Sequence, residues 1–300
     1  MTGLKEVRTR IRSVESTKQI TSAMKMVSAS KLRKAQNAIL KLRPYEAKLQ
    51  ELMNQILEKS GDIPELAYND IRPLKKVLVI AITSNKGLCG INNTIVIKKT
   101  ESNIEKKYPD LHKNNNVDII TIGKKATDYF KKKDYPVLKN YDDIYQNLTY
   151  EAVEPIAIIL MESFKNGTYD QIEINYNRFK NAASQTICCE NFLPIVVAKK
   201  PTTAEDIKSE INDEIDYLYE PSKTTIIEEL IPKIIKMRFY KALLEAHASE
   251  HGARMTAMHK ATDNATELLK DLKLHYNKVR QATITKEIME IVSGAEALKR

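Results

Sequence analysis

Residues 4–43 read LKEVRTRIRSVESTKQITSAMKMVSASKLRKAQNAILKLR, and they decide the fold. Apolar residues recur at alternating spacings of three and four: Leu4, Val7, Ile11 and Val14, then Leu32, Ala35, Ile39 and Leu42, continuing to Leu49, Met53 and Ile56. That spacing is a heptad seam, the mark of a helix that packs along another helix. No glycine falls between Gly3 and Gly61, and the one proline is Pro44. A helix is therefore predicted over 1–60, reaching roughly 80 Å, with a bend near Lys41 where Pro44 removes a backbone donor. In its middle the strict register lands on Lys18, Thr21, Lys25 and Ser28, whereas the apolar residues Ile20, Met24 and Val27 come one place earlier. Such an offset predicts a phase slip of the buried face.

The far end of the chain mirrors this. Between Ser222 and Leu298 only Pro232, Gly252 and Gly294 interrupt, and a seam runs through Leu230, Ile234, Met237, Leu244, His247, His251, Arg254, Met258, Ala261, Ala265, Leu268, Leu272, Val279 and Ala282. A helix over 222–300 would extend for roughly 110 Å, longer than its counterpart, and neither can bury its seam alone. Antiparallel pairing of the two ends is the economical solution. Ile284, Ile288, Ile291 and Val292 lie beyond the reach of the first helix, so an apolar tip is expected to need a sleeve.

Between the helices the pattern changes. Lys76–Thr83 and Val117–Ile122 are continuous apolar runs of the kind that form buried parallel strands. Helical stretches are predicted near Asn93–Tyr108, from Lys124, and over Thr149–Lys165; Tyr169–Phe179 and Thr186–Ala198 read as a hairpin turning at Asn181–Ala182. This alternation predicts a small Rossmann-like α/β domain over 72–200 with a mainly parallel sheet. Residues 201–221 read as a polar connection and foot.

Composition narrows the function. The 300 residues carry 42% hydrophobic and 29% charged residues, 8 Gly, 10 Pro, 3 Cys and no Trp. Three cysteines make no disulfide framework, and neither a membrane span nor a secretory signal is expected. The net charge of +9 is uneven. Residues 1–43 hold eleven basic residues against Glu6 and Glu15, while Thr203–Glu220 holds seven acidic residues against Lys208. A basic rod expects an acidic protein surface, nucleic acid or anionic lipid. Scarce aromatics and basic residues spread around the helix argue against nucleic acid.

No stretch carries an enzyme's chemistry. The loop Ser84–Gly90 is neither G-x-x-x-x-G-K-[ST] nor G-x-G-x-x-G, so nucleotide binding is not expected. Cys89 lacks a nearby base, and Cys188 and Cys189 should point to opposite faces of a strand. His247 and His251 resemble half of a zinc site, but no third ligand suggests itself, so no metal and no cofactor are expected. The pairs Asp142/Asp143 and Glu228/Glu229 are adjacent rather than opposed.

Four segments carry a resemblance across essentially the whole chain: Ile11–Arg33, Ser84–Gly90 with Asn92, Arg254–Asn264, and Asn277–Ile288 followed by Gly294-Ala-Glu-Ala. In these it is similar to the gamma subunits of F-type ATP synthases. The resemblance implies a non-catalytic rotor shaft whose terminal coiled coil stands inside three alpha and three beta subunits, which hold the catalytic sites. Its foot would rest on the membrane c-subunit ring and meet the epsilon subunit. By motif, Met24 faces an acidic lever of a beta subunit. Arg254 and Gln281 match hydrogen-bonding positions to a beta loop, with Thr285 and Glu287 beside them, and Tyr217 and Glu220 match the c-ring contact. Lys25 departs from relatives that carry an acidic residue there. The implied location is peripheral, on the cytoplasmic side of a bacterial inner membrane.

Overall fold

The computed structural model describes residues 3–58, 68–181, 184–195, 220 and 222–297. In chain order the elements are α1 (Leu4–Glu58), β1 (Val77–Ile82), α2 (Asn92–Lys107), α3 (Pro109–Lys113), β2 (Val117–Ile122), α4 (Lys124–Lys132), β3 (Val137–Asn140), a 3-10 turn (Asp142–Gln146), α5 (Tyr150–Lys165), β4 (Gln171–Phe179), β5 (Gln185–Leu193) and α6 (Lys223–Ala297). Two compact units contain them: residues 1–30 with 254–300, and residues 31–253.

The larger unit is built on a five-stranded sheet of order β3-β2-β1-β4-β5. β1 pairs in parallel with β2 and β4, β2 in parallel with β3, and β5 closes the edge antiparallel to β4. β1 and β2 are buried at every position, as their unbroken apolar runs require. Alternate side chains then divide the core. Leu78, Ile80, Ile172, Ile174 and Tyr176 pack against α5 (Val153, Leu160, Phe164) and the first part of α6 (Ile231, Ile235, Phe239, Leu243). Val77, Val79, Ala81, Val117 and Ile119 pack under Ile97 and Ile104 of α2 and Ala126 and Phe130 of α4. Leu49 of α1 joins the first cluster, and Lys241 of α6 meets Glu46 of α1 at 2.7 Å. Gly123, between β2 and α4, has φ +102°, and a Cβ there would lie 2.1 Å from the carbonyl oxygen of Thr83. Only glycine permits that approach.

The smaller unit is the helix pair predicted from the two ends. Thr262 Oγ1 reaches Thr21 Oγ1 at 2.8 Å and Lys25 Nζ lies 3.4 Å from His259 Nδ1, so numbers rise along one helix as they fall along the other. α1 continues through Pro44 as one helix. The side chains of Met53 and Ile56 lie outside the described residues, as do Ala182, Tyr217 and all of 201–221 except Glu220.

One expectation is corrected: the buried face of α1 does not slip. Thr21 and Ser28 are 8% and 2% exposed, whereas Ile20 and Val27 are 59% and 58% exposed. The strict heptad positions stay inside because their hydroxyls are satisfied locally. Thr21 donates to the Lys18 carbonyl, and Ser28 to that of Met24. A second correction falls on α6, where the seam takes Leu269 (6% exposed) rather than Leu268 (41% exposed), and Ala282 faces outward.

Candidate functional site

Ala265, Leu269 and Leu272 of α6 and Val7 of α1 are buried in the helix pair, and Val79-like apolar saturation is never reached; the seam is narrow and partly polar. Beyond Thr283 every described side chain of α6 is exposed. There Ile284, Ile288, Met289, Ile291 and Val292 form an apolar row. On α1, Ile20, Met26 and Val27 make a second exposed apolar set beside Met24 and Lys25. That set follows from the heptads counted straight through Thr21 and Ser28, which leave Ile20 and Val27 outside, and not from the phase slip expected from hydropathy.

Met24 is half-buried, one position before Lys25. Arg254 is 6% exposed, enclosed and not without a partner. Gln281, Thr285 and Glu287 are exposed on the outer part of α6, where the Thr285 hydroxyl donates to the Gln281 carbonyl at 2.9 Å. Arg254 and Gln281 are separated by roughly 40 Å of helix at 1.5 Å per residue, so the fold does not bring these two together. Glu220 is exposed. Tyr217 lies outside the described residues.

The α/β unit carries its polar groups as structural ties. Ser84 N–H donates to Asn93 Oδ1, and Asn93 Nδ2 donates to Ser84 Oγ and approaches Cys89 Sγ at 3.3 Å. Buried Cys89 is thus held among neutral partners. Ligands of open α/β sheets sit beyond the carboxyl ends of the strands, where the chain order reverses. That place, between β1 and β4, is filled here: Asn177 donates to both oxygens of Asn92 at 2.8 Å, and Ser249 of α6 donates to Asn92 Oδ1 at 3.2 Å. His247 and His251 meet through their Nε2 atoms at 3.0 Å, and the ring of Tyr145 stacks on His247. Burial, together with Glu250 and Asp142, holds the Tyr145 hydroxyl well above its ordinary range. Among the described residues no group of three or more His, Cys, Asp or Glu side chains could hold a metal ion. No described helix is long and apolar enough to cross a membrane.

Glu245 of α6 is 5% exposed and 3.5 Å from Nε of Arg178, whose Nη2 pairs with Glu190. Burial raises its carboxyl above the usual range, and Lys241 and Arg178 oppose that shift. The group ties the β4–β5 hairpin to α6.

Together these features define a class: an α/β domain with its ligand crevice occupied by its own helix, combined in one chain with an antiparallel pair of long terminal helices that leaves apolar surface uncovered. Residues 3–298 match the profile of the ATP synthase family. The chain is 52% identical over 298 residues to the ATP synthase gamma chain of Christiangramia forsetii, covering 99% of both chains, and 51% identical to that of Flavobacterium johnsoniae, again covering 99% of both. Its fold is similar to chains in two structures of the Euglena gracilis mitochondrial ATP synthase. One, of the rotor, aligns with TM-score 0.60 and 22% identity over 94% of this chain and 98% of the other. The second, of the OSCP/F1/c-ring assembly, aligns with TM-score 0.64 and 21% identity over 98% and 94%. The chain belongs to the ATP synthase gamma-chain family, and so is one subunit of that complex.

Proposed function

We propose that the chain is the central shaft of an F-type ATP synthase, turning with a membrane c-subunit ring and driving the beta subunits in turn through binding, synthesis and release of ATP. The observation that carries this is the end of burial at Thr283 of α6, with five large apolar side chains left exposed past it. Burying one such side chain is worth roughly 1.5–3 kcal/mol, so a row of them favours a surrounding protein sleeve. Three alpha and three beta subunits supply it in this reading, and catalysis stays on the beta subunits.

A shaft must push without sticking, because affinity for one angle has to be matched at the next. The surface suits that demand. Lys5, Arg8, Arg10 and Arg12 are exposed, and such solvent-screened charges contribute little each. Met24 and Lys25 face an acidic lever, while Gln281, Thr285 and Glu287 meet a beta loop near the tip. Arg254, enclosed as it is, braces the helix pair beside the beta-facing surface instead of offering a free cation. Tyr217 and Glu220 engage the c ring, the epsilon subunit binds near the foot, and the assembly works on the cytoplasmic face of a bacterial inner membrane.

Reconstitution tests this. Adding the chain to purified alpha and beta subunits should form a stable complex that hydrolyses ATP; a mixture whose activity and size do not change would reject the proposal.

A further inference from the structure

The interface under α2 contains polar atoms that the protein itself leaves without partners. α2 crosses β4 with two anchors. At one end Asn177 donates to Asn92 at 2.8 Å, and at the other the Tyr108 hydroxyl donates to Glu173 Oε1 at 2.7 Å. Asn175 lies midway between Glu173 and Asn177 and shares their face of the strand, because side chains alternate. Thr100 lies midway between Asn92 and Tyr108, within the buried stripe of α2. Thr100 and Asn175 therefore face each other, and both are fully buried.

Neither side chain makes a hydrogen bond within the protein. Thr100 Oγ1, both Asn175 Nδ2 and Oδ1, and the neighbouring Glu173 Oε2 are buried with no partner in the protein. Leaving such groups unpaired is costly, and buried polar groups in native proteins find a partner. Ala81 of β1, paired in register with Asn175, is the smallest side chain that β1 presents on that face.

We infer that a sealed hydration site lies here, with ordered water bridging Thr100 Oγ1 to the Asn175 amide and extending to Glu173 Oε2. The donor set selects water over a cation. Asn175 Nδ2 presents hydrogens, the threonine hydroxyl can give or take one, and Asn175 Oδ1 and Glu173 Oε2 accept. A water satisfies such a mixture with two to four bonds. A cation would face the amide hydrogens, and Glu173 already holds the Lys107 ammonium. Sulfur and apolar guests have no place among four unpaired polar atoms.

The site gives α2 a wet footing on β4, in contrast to the apolar packing of α5 and α6 on the opposite face of the sheet. The test is an experimental density map of the chain, in its complex, at a resolution that shows waters, from crystals grown with rubidium in place of potassium and sodium. A peak within about 2.7–3.2 Å of Thr100 Oγ1 and an Asn175 amide atom, without anomalous rubidium signal, is expected. Direct bonding of Thr100 to Asn175 with no peak, or a rubidium signal at the site, overturns the inference. A double-mutant cycle of Thr100→Val and Asn175→Leu gives an independent reading from melting temperatures. Each single change should lower the melting point by several degrees, and the double variant should recover most of that loss. Additive losses would contradict a shared water.

Discussion

The two units of this chain bury their residues in opposite ways. In the α/β unit, β1 and β2 are enclosed at every position and large side chains such as Phe130, Phe164 and Phe239 are wholly buried. In the terminal helix pair the seam is narrow, accepts Thr21, Ser28 and Thr262, and leaves Ile20, Met26, Val27 and the row Ile284–Val292 outside. A domain that only has to hold itself together spends its apolar surface inward. A helix pair that has to work against other subunits keeps part of that surface for them. The difference teaches that the pair is stable enough to keep register, yet incomplete until something encloses it.

The sharpest way to separate the two is at their glycines. Gly123→Ala should cost about 3–5 kcal/mol or prevent folding of the α/β unit, since its Cβ meets backbone at 2.1 Å with φ at +102°. Gly294→Ala on α6 meets nothing within 4 Å and should be neutral or stabilising by up to about 1 kcal/mol. Denaturant unfolding followed by circular dichroism reads both; equal effects would erase the contrast.

Next in size is the tip. Ile288→Ser with Ile291→Ser should leave the unfolding curve of the isolated chain within about 0.5 kcal/mol of wild type. The same pair should weaken assembly with alpha and beta subunits by roughly tenfold or more, as lost burial of two side chains requires. Unchanged assembly would mean that the tip is not enclosed.

Within the seam, Thr262→Ala removes one cross-helix hydrogen bond and should cost about 1 kcal/mol, visible as a small fall in melting temperature. The smallest effect is electrostatic. Because burial raises the Glu245 carboxyl, its ionised form is the disfavoured one. The penalty is absent below the ordinary carboxylate range, grows as pH rises through that range, and is complete above the raised value. Glu245→Gln should therefore melt slightly higher than wild type at pH 8, with the advantage gone by pH 4. An advantage that grows on acidification would reverse the assignment.

Long stretches of this fold were legible from residues alone. β1, β2 and the β4–β5 hairpin declared themselves because a buried strand needs an unbroken or alternating apolar run. β3 escaped because it is a four-residue edge strand whose side chains are half-buried or exposed. The phase of α1 was misread because hydropathy ranks Ile20 above Thr21. A hydroxyl that bonds back to its own helix sits comfortably inside, and its small size admits a close neighbour. The choice between Leu268 and Leu269 was not decidable from one helix, since both are leucine and only the partner's register separates them. The uncovered tip was visible as a difference in length between the two helices. The enclosure of Arg254 was visible too, as a position in the seam, although its spacing says nothing about which groups meet the guanidinium.

The central claim is that this chain turns. Cys189 is exposed and Cys89 is buried, so a bead or gold probe can be attached at Cys189 in a Cys188→Ala background. With the chain assembled in surface-fixed alpha and beta subunits, ATP should drive unidirectional rotation of the probe, stopping when ATP is withdrawn. A complex that hydrolyses ATP at full rate while the probe stays still would contradict the account.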